Sequence, residues 1–295
     1  MFRLAHFSDP HLHFDAPPPT LAERFSKRSL SRLSWARGRR ELQSPQVLAA
    51  AVADVRQHAP DHWLISGDIT NFSLPGEFAA AAGWLASLGS SRDLTVVPGN
   101  HDALVPVPYA DGWAHWQPWM QGDDGVAAFP FLRVRGELAL IGLSTALPTA
   151  PGLASGRLGR TQLEALAALL ADLGRRGLAR VVALHHPPAD GVVKRRKALD
   201  DRAALRAVIA RHGAELLLHG HSRDARFDPL PGPDGLVPVL GVPSVSAIPN
   251  PKDEGGRWNL LGFERIDGRW TIDVQARRWQ PAQQRFVDGG GYRLR

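Results

Sequence analysis

Residues 62–89, HWLISGDITNFSLPGEFAAAAGWLASLG, place a short apolar strand, a polar turn and an alanine-rich helix in succession. The same order recurs along most of the chain. The pattern predicts strands over 2–7, 62–68, 94–100, 180–186 and 214–220, and helices over 44–58, 75–89, 161–174 and 201–213. Alternating strands and helices indicate an α/β fold with a largely parallel sheet that helices cover.

The pattern changes after Pro238, where short strands and turns replace the helices. The Asp267-Gly268 turn lies between two alternating runs and predicts a hairpin. We expect these strands to form a second, more antiparallel sheet packed on the first, and residues 288–295 to be loose. The whole of 1–295 is interpreted as a single domain with insertions at about 14–43 and 103–130, each of which follows a strand end.

The composition restricts the chemistry that the chain can perform. Hydrophobic residues make up 44% of the sequence and cysteine is absent, which excludes disulfides and thiolate-bound metal. The amino-terminal residues lack the apolar stretch of a signal peptide, and no apolar run is long enough to span a bilayer, so we expect a cytoplasmic protein. The formal net charge of +6 favours anionic partners such as phosphates, nucleic acid or lipid headgroups.

Polar side chains follow five of the predicted strands. They are Asp9 and His11, Asp68, Asn100 to Asp102, His185 and His186, and His219 and His221. Open parallel sheets bind ligands at the carboxyl ends of their strands. Burying several carboxylates and imidazoles together is unfavourable unless a cation neutralises them. The sequence therefore predicts a metal site with oxygen and nitrogen ligands, which suit Mn, Fe, Zn or Co.

The motifs DPH (9–11), GD (67–68), GNHD (99–102), HHPP (185–188) and GHSR (220–223) occur in this order along the chain. In this the sequence resembles the calcineurin-like metallophosphoesterases. The resemblance implies a four-layer α/β/β/α sandwich of two mixed β-sheets flanked by helices, with a centre of two divalent metal ions. The implied ligands are Asp9 and His11 for the first ion, Asp68 as a bridge, and Asn100, His185 and His221 for the second. His185 is preferred to His186 because it directly ends its strand.

The resemblance also implies an activity. A phosphomonoester, phosphodiester or pyrophosphate would be hydrolysed by a metal-activated water, with His101 as the catalytic histidine that assists the leaving group and Asp102 as its orienting neighbour. A non-catalytic or weakly active binding protein that kept the fold is the alternative, and a nuclease remains open as well.

The last motif departs from the family pattern at Arg223, where the family has a second histidine bound to the first ion. A guanidinium has no lone pair for a metal, but its planar donors suit a phosphate. We therefore expect a weak first metal site and a substrate-binding role for Arg223. His13 is the nearest residue in sequence that would restore the missing nitrogen.

Residues 24–40, RFSKRSLSRLSWARGRR, carry Leu30, Leu33 and Trp35 at helical spacing among arginines and lysines. The pattern is typical of an interfacial or capping helix, which would admit a large anionic substrate, lipid-linked or held at an anionic membrane surface. A solvated basic helix packed by the same three residues accounts for it equally well. In the other insertion, Trp113, Trp116 and Trp119 have the spacing of a packed helix face.

Overall fold

The computed structural model describes residues 1–251 and 253–294. Its helices are α1 (Leu21–Arg24), α2 (Lys27–Ser34), α3 (Arg40–Leu42), α4 (Pro45–Gln57), α5 (Pro75–Leu88), α6 (Arg160–Arg175) and α7 (Arg202–His212). Its strands are β1 (Phe2–Phe7), β2 (His62–Ile65), β3 (Leu94–Val96), β4 (Phe131–Arg135), β5 (Leu138–Gly142), β6 (Ala179–Ala183), β7 (Leu216–His219), β8 (Arg226–Phe227), β9 (Leu230–Gly232), β10 (Gly235–Val237), β11 (Val239–Gly241), β12 (Arg257–Ile266), β13 (Arg269–Gln280) and β14 (Arg285–Leu294). Short 3-10 segments cover Tyr109–Asp111, Trp113–Trp119, Arg195–Lys197 and Pro281–Gln283.

The first large sheet has the strand order β14-β13-β12-β1-β2-β3. Strands β1, β2 and β3 are parallel, as the alternation predicts. Strand β12 pairs antiparallel with the other edge of β1, and β13 and β14 extend the sheet from there. For β12, β13 and β14, the prediction that the trailing strands form the second sheet is therefore wrong, because these strands extend the free edge of β1. The trailing strand β11, in contrast, joins the second sheet.

The second large sheet has the order β4-β5-β6-β7-β11-β8. Strands β5, β6, β7 and β11 run parallel, while β4 and β8 are antiparallel edge strands. The structure contains a β4–β5 hairpin that the alternation of strands and helices did not predict. Its turn, Gly136, has a positive φ of 60°, which glycine adopts readily.

Side-chain alternation along β5 shows how the layers stack. Leu138 and Leu140 belong to the large core shared with the first sheet, whereas Ala139 and Ile141 pack in a separate core with residues of α6 and α7. On the other side, α4 and α5 contribute Val55 and similar residues to the core of the first sheet. Successive side chains of a strand point to opposite faces, so the second sheet lies between the first sheet and two helices. The predicted four-layer α/β/β/α fold is confirmed.

The carboxyl-terminal segment is not loose, contrary to expectation. Strand β14 spans Arg285–Leu294 and pairs with β13 along most of its length. Gly289 and Gly291 in this strand lie so close to the β13 backbone that an added side-chain carbon would stand 3.1 and 2.9 Å from its carbonyl oxygens. The glycines that suggest flexibility in the sequence thus allow a close approach in the sheet.

Both insertions are packed. Trp116 and Trp119 are buried, and the Trp116 ring lies 5.0 Å from that of Phe78 on α5. The predicted packed face of tryptophans is therefore present, but the segment that carries it is a 3-10 helix. In the first insertion, Trp35 is buried against Phe72. None of the helices in the described part of the chain is long and apolar enough to cross a membrane.

One buried ion pair joins α4 to the antiparallel strands of the first sheet. The Asp54 carboxylate accepts hydrogen bonds from Arg277 at 2.7 and 2.9 Å and from the Trp258 indole at 3.0 Å. Replacing Asp54 with Ala leaves a largely buried guanidinium and a buried indole N–H without this acceptor. We expect Asp54→Ala to lower the free energy of unfolding by about 3–5 kcal/mol in urea denaturation.

Asp172→Ala is the matched control, because Asp172 forms exposed ion pairs with Arg175 and Arg176 on α6. Its loss should lower the free energy of unfolding by no more than about 1 kcal/mol. Equal losses in the two variants would contradict the structural role assigned to Asp54.

Candidate metal centre

The five predicted strand ends meet at one place between the two sheets. Two groups of side chains there present ligand atoms within 4.8 Å of one another. The first set is Asp9, His11 and Asp68, and Asp68 also belongs to the second set with His185 and His221. Asn100 joins the second set, since its Oδ1 lies 3.3 Å from His185 Nε2. The structure thus brings together all six residues for which the sequence predicted metal binding.

Hydrogen bonds to backbone carbonyls fix the ring orientation of the two histidines in the second set. His185 Nδ1 lies 2.7 Å from the Ser66 carbonyl, and His221 Nε2 lies 3.0 Å from the Lys197 carbonyl. A carbonyl oxygen only accepts, so these nitrogens carry the ring protons. His185 Nε2 and His221 Nδ1 are therefore left with free lone pairs.

These lone pairs point at each other and at two further acceptors. His185 Nε2 is 3.2 Å from His221 Nδ1, 3.3 Å from Asn100 Oδ1 and 3.5 Å from Asp68 Oδ2. When both rings are neutral, four acceptor atoms face one another, and either a proton on His185 or a bound cation must supply positive charge between them. Two imidazoles, an amide oxygen and a carboxylate, each imidazole held from behind by a carbonyl, match the ligands of a divalent transition metal. The second set fits such an ion.

The electrostatics of the site favour positive charge. Burial lowers the pKa of His185, but Asp68 and Asp9 outweigh that effect and raise it to about 9. Burial would raise the pKa of Asp68, yet His185 and His101 hold it well below its ordinary value. The pKa of Asp9 is raised to about 6, because burial and the neighbouring Asp68 disfavour its ionisation.

Four ligand candidates have backbones in the left-handed region. Asp9, His11, Asp68 and His221 have φ values of 52°, 41°, 57° and 63°. Such conformations cost of the order of 1–3 kcal/mol each and concentrate at functional sites. Close packing of the turns holds them: a side-chain carbon on Gly99 would overlap the Asp68 carboxylate.

Asp102 and His101 make different contacts from those expected. The Asp102 carboxylate accepts hydrogen bonds from the backbone N–H groups of residues 68, 69, 70 and 99, at 2.8 to 3.0 Å. It therefore holds the turn that carries Asp68. The His101 ring is oriented instead by the Asn71 carbonyl, 3.0 Å from Nδ1. Burial and the Arg39 guanidinium lower the pKa of His101 to about 3.

The remaining histidines lie behind or beside the two sets. His186 has both ring nitrogens engaged, by Thr145 Oγ1 and the Ala154 carbonyl, so it has no lone pair for a metal. His13, the suggested replacement ligand, contacts the Gln43 carbonyl and packs edge-on against Trp35. His219 is buried, and its Nδ1 lies 2.8 Å from the Gly220 carbonyl.

A cavity of about 350 Å³ opens above the two sets. Arg223 lies at its edge as an exposed residue, rather than inside the first set. Four further cations of the described chain line the cavity: Lys27, Arg39, Arg196 and Lys197. From the sequence, Lys27 and Arg39 were linked to the site only as part of segment 24–40, which would admit an anionic substrate. Arg196 and Lys197 were missed, although the dense arginine and lysine in 194–197 was an available signal.

The first insertion forms part of the wall of this cavity. Its Leu30, Ser31 and Ser34 line the cavity, and Leu30 and Leu33 are about half exposed. Arg28 donates to the carbonyls of Phe72 and Ser73, so it binds the chain itself. The arrangement is that of a capping helix, and its contact with an anionic membrane surface or a lipid-linked substrate stays a prediction.

Comparisons with known proteins agree with this geometry. A family model described as calcineurin-like phosphoesterase matches residues 2–223. A probable cyclic nucleotide phosphodiesterase of Synechococcus sp. is 28% identical over 229 residues, which cover 77% of this chain and 80% of that protein. A dimetal phosphatase from Danio rerio has a TM-score of 0.60 at 12% identity, covering 97% of this chain and 98% of that one.

Purple acid phosphatase PPD1 from yellow lupin has a TM-score of 0.59 at 13% identity, with 99% of this chain and 53% of that chain covered. At these identities the two solved structures show a shared fold. The match of the family model extends over most of the sequence and over every strand end that carries a ligand candidate. The chain therefore belongs to the calcineurin-like phosphoesterases, hydrolases that act on phosphoester bonds.

Proposed function

We propose that the chain is a metal-dependent phosphodiesterase that hydrolyses a small phosphodiester, such as a cyclic nucleotide, with water as the nucleophile. The observation that carries the proposal is the convergence of four acceptor atoms in the second set beneath a cavity lined by cations. The relative from Synechococcus sp., described as a probable cyclic nucleotide phosphodiesterase, supports the choice of a diester.

The second set would hold the catalytic ion through Asp68, Asn100, His185 and His221. A divalent ion bound there supplies a Lewis acid for the phosphoryl oxygens and lowers the pKa of water toward about 7. Mn, Fe, Zn or Co suit this mixture of nitrogen and oxygen ligands. The hydrogen bonds that the two imidazoles donate to the Ser66 and Lys197 carbonyls would keep the rings aimed at the ion.

The cavity suits a small anion. Its volume of about 350 Å³ lies at the lower end of the range for small-molecule sites, about 300–1,000 Å³. Lys27, Arg39 and Lys197 would neutralise the phosphoryl charge inside it. A nuclease would instead present a long basic groove with stacked aromatic side chains.

His101 is the candidate proton donor to the leaving oxygen. Because Nδ1 is held by the Asn71 carbonyl, Nε2 is the nitrogen free to exchange a proton. Its pKa is lowered to about 3 by burial and by Arg39, so the imidazolium is unfavourable in the free chain. An anionic phosphate beside the ring favours the protonated form, which links proton donation to substrate binding.

A panel of substrates tests the proposed reaction. Metal-loaded protein should hydrolyse bis(p-nitrophenyl) phosphate and cyclic mononucleotides faster than p-nitrophenyl phosphate and single-stranded DNA, measured as kcat/KM. Preferential hydrolysis of monoesters would overturn the assignment to diesters. Preferential cleavage of the polymer would favour the nuclease alternative.

The role of Asp68 is tested by Asp68→Asn. The amide keeps an acceptor for the His101 backbone N–H, 2.7 Å away, so the turn should persist while the negative charge is lost. Replacing residues that only support a metal ligand costs about 10–100-fold in affinity or activity. Because Asp68 is itself a proposed ligand, we expect the amount of bound metal and the rate of hydrolysis in Asp68→Asn to fall at least about 100-fold. Asp172→Asn, an exposed change on α6, is the control, and wild-type metal content with full turnover in Asp68→Asn would contradict the assignment.

The role of His101 is tested by His101→Ala across aryl phosphodiesters whose leaving groups differ in pKa. Loss of a proton donor slows poor leaving groups most, by about 10²–10⁴-fold, and leaves metal content unchanged. The exposed His115 provides the control variant His115→Ala. If all leaving groups are slowed equally, His101 does not donate the proton.

A further inference from the structure

Arg39 occupies the side of the first set that faces the cavity. One of its terminal nitrogens lies 2.9 Å from His11 Nε2 and 3.1 Å from His11 Nδ1. The other lies 3.5 Å from His101 Nδ1. Asp68 and Asp9 are the carboxylates that interact most strongly with its charge. The guanidinium therefore lies next to the residues predicted to bind the first ion.

The chain holds Arg39 there on a short, anchored segment. A helical segment over Trp35–Arg39 continues from α2 and is kinked at Arg37 and at Gly38, whose φ of 117° suits glycine. Before the kink, Trp35 is buried against Phe72. After it, the buried Gln43 side chain accepts hydrogen bonds at 2.8 and 2.6 Å from serines 244 and 246. Fixed on both sides, the segment directs Arg39 into the site.

The guanidinium and a metal ion compete for the same atom. His11 Nδ1 lies 3.3 Å from the Thr70 carbonyl, so the ring proton is on Nδ1 and the only lone pair is on Nε2. That lone pair either accepts from Arg39 or binds an ion. A divalent ion on that lone pair would lie beside the fixed positive charge of the guanidinium, and the two charges would repel each other strongly.

The first set also lacks the ligand needed to overcome that repulsion. Arg223 stands where the family pattern has a histidine, and it is exposed at the edge of the cavity. Asp9, His11 and Asp68 thus remain as three ligands, next to a guanidinium that cannot be deprotonated in a protein. In contrast to the second set, the first set does not fit a tightly bound divalent ion.

We propose that Arg39 is the resident cation of the first set. The chain binds one divalent ion tightly, at the second set, and the Arg39 guanidinium supplies the positive charge on the other side of Asp68. Placed beside the cavity, its donors also bind the phosphoryl oxygens of the substrate. The inference rests on the proposed function for its second-set ion and its phosphate substrate.

Metal stoichiometry tests the inference without reference to activity. Wild-type protein loaded with Mn²⁺ and dialysed should retain one ion per chain by elemental analysis, with the EPR signal of an isolated ion. The double variant Arg39→Met/Arg223→His removes the guanidinium and places a histidine where the family pattern has the further first-set ligand. It should retain two ions that share Asp68 and couple magnetically, with the second dissociation constant lowered at least about tenfold.

Arg37→Met is the matched control, because Arg37 is an exposed arginine at the same kink in the segment Trp35–Arg39. It should retain one uncoupled ion, as the wild type does. Two tightly bound, coupled ions in the wild type would overturn the inference, and so would a double variant that still retains one.

Hydrolysis by the wild type separates the two proposals. Diester hydrolysis with two bound ions would overturn the inference and leave the proposed function intact. One bound ion without hydrolysis of any phosphoester would overturn the proposed function, while the stoichiometry would still support Arg39 as the first-set cation.

Discussion

The Asp68 carboxylate is 2% exposed and lies 3.9 Å from His11 Nε2 and 3.5 Å from His185 Nε2, with a second buried carboxylate, Asp9, nearby. Removing two carboxylates from water costs several kcal/mol per ion unless positive charge is placed beside them. The histidines, the Arg39 guanidinium and, in the proposed function, a divalent ion supply that charge. The rest of the site follows from this requirement, because each strand that ends here delivers either a negative group or a partner for one.

Both sheets contribute to the position of these charges. Strands β1, β2 and β3 come from one sheet and β6 and β7 from the other, and their carboxyl ends meet where Ser8 forms a bridge with Ser244. The Asp102 carboxylate fastens the turns after β2 and β3 to each other through backbone N–H groups. A site held on strand ends and tied by such bonds is preorganised, so the left-handed backbone at Asp68 and His221 persists despite its cost.

Sequence patterns predicted what depends on local periodicity and on strand ends. The alternation gave the parallel strands and covering helices, and polar residues such as Asn100 and His221 appeared where strands end. The sequence does not indicate which distant strands pair, so the antiparallel strands could have extended either sheet. Glycines 289 and 291 suggested a loose tail, because close contact between backbones leaves no side-chain pattern in the sequence. The contact of Asp102 with backbone N–H groups was missed for the same reason, since main-chain partners have no signature in sequence.

Arg39 shows how an insertion can alter a centre whose ligands stand in the expected places. Its approach to His11 depends on the kink at Gly38 and on Trp35 packing against the turn after β2. None of these contacts is local, so the basic run around Arg39 read equally well as a surface for anionic lipid. Arg223 and Arg39 affect the same set of ligands. Arginine in place of histidine at position 223 removes a lone pair from the first set, and Arg39 adds a fixed positive charge beside it. Both changes disfavour an ion at the first set, whereas the second set keeps Asp68, Asn100, His185 and His221, which makes the centre asymmetric.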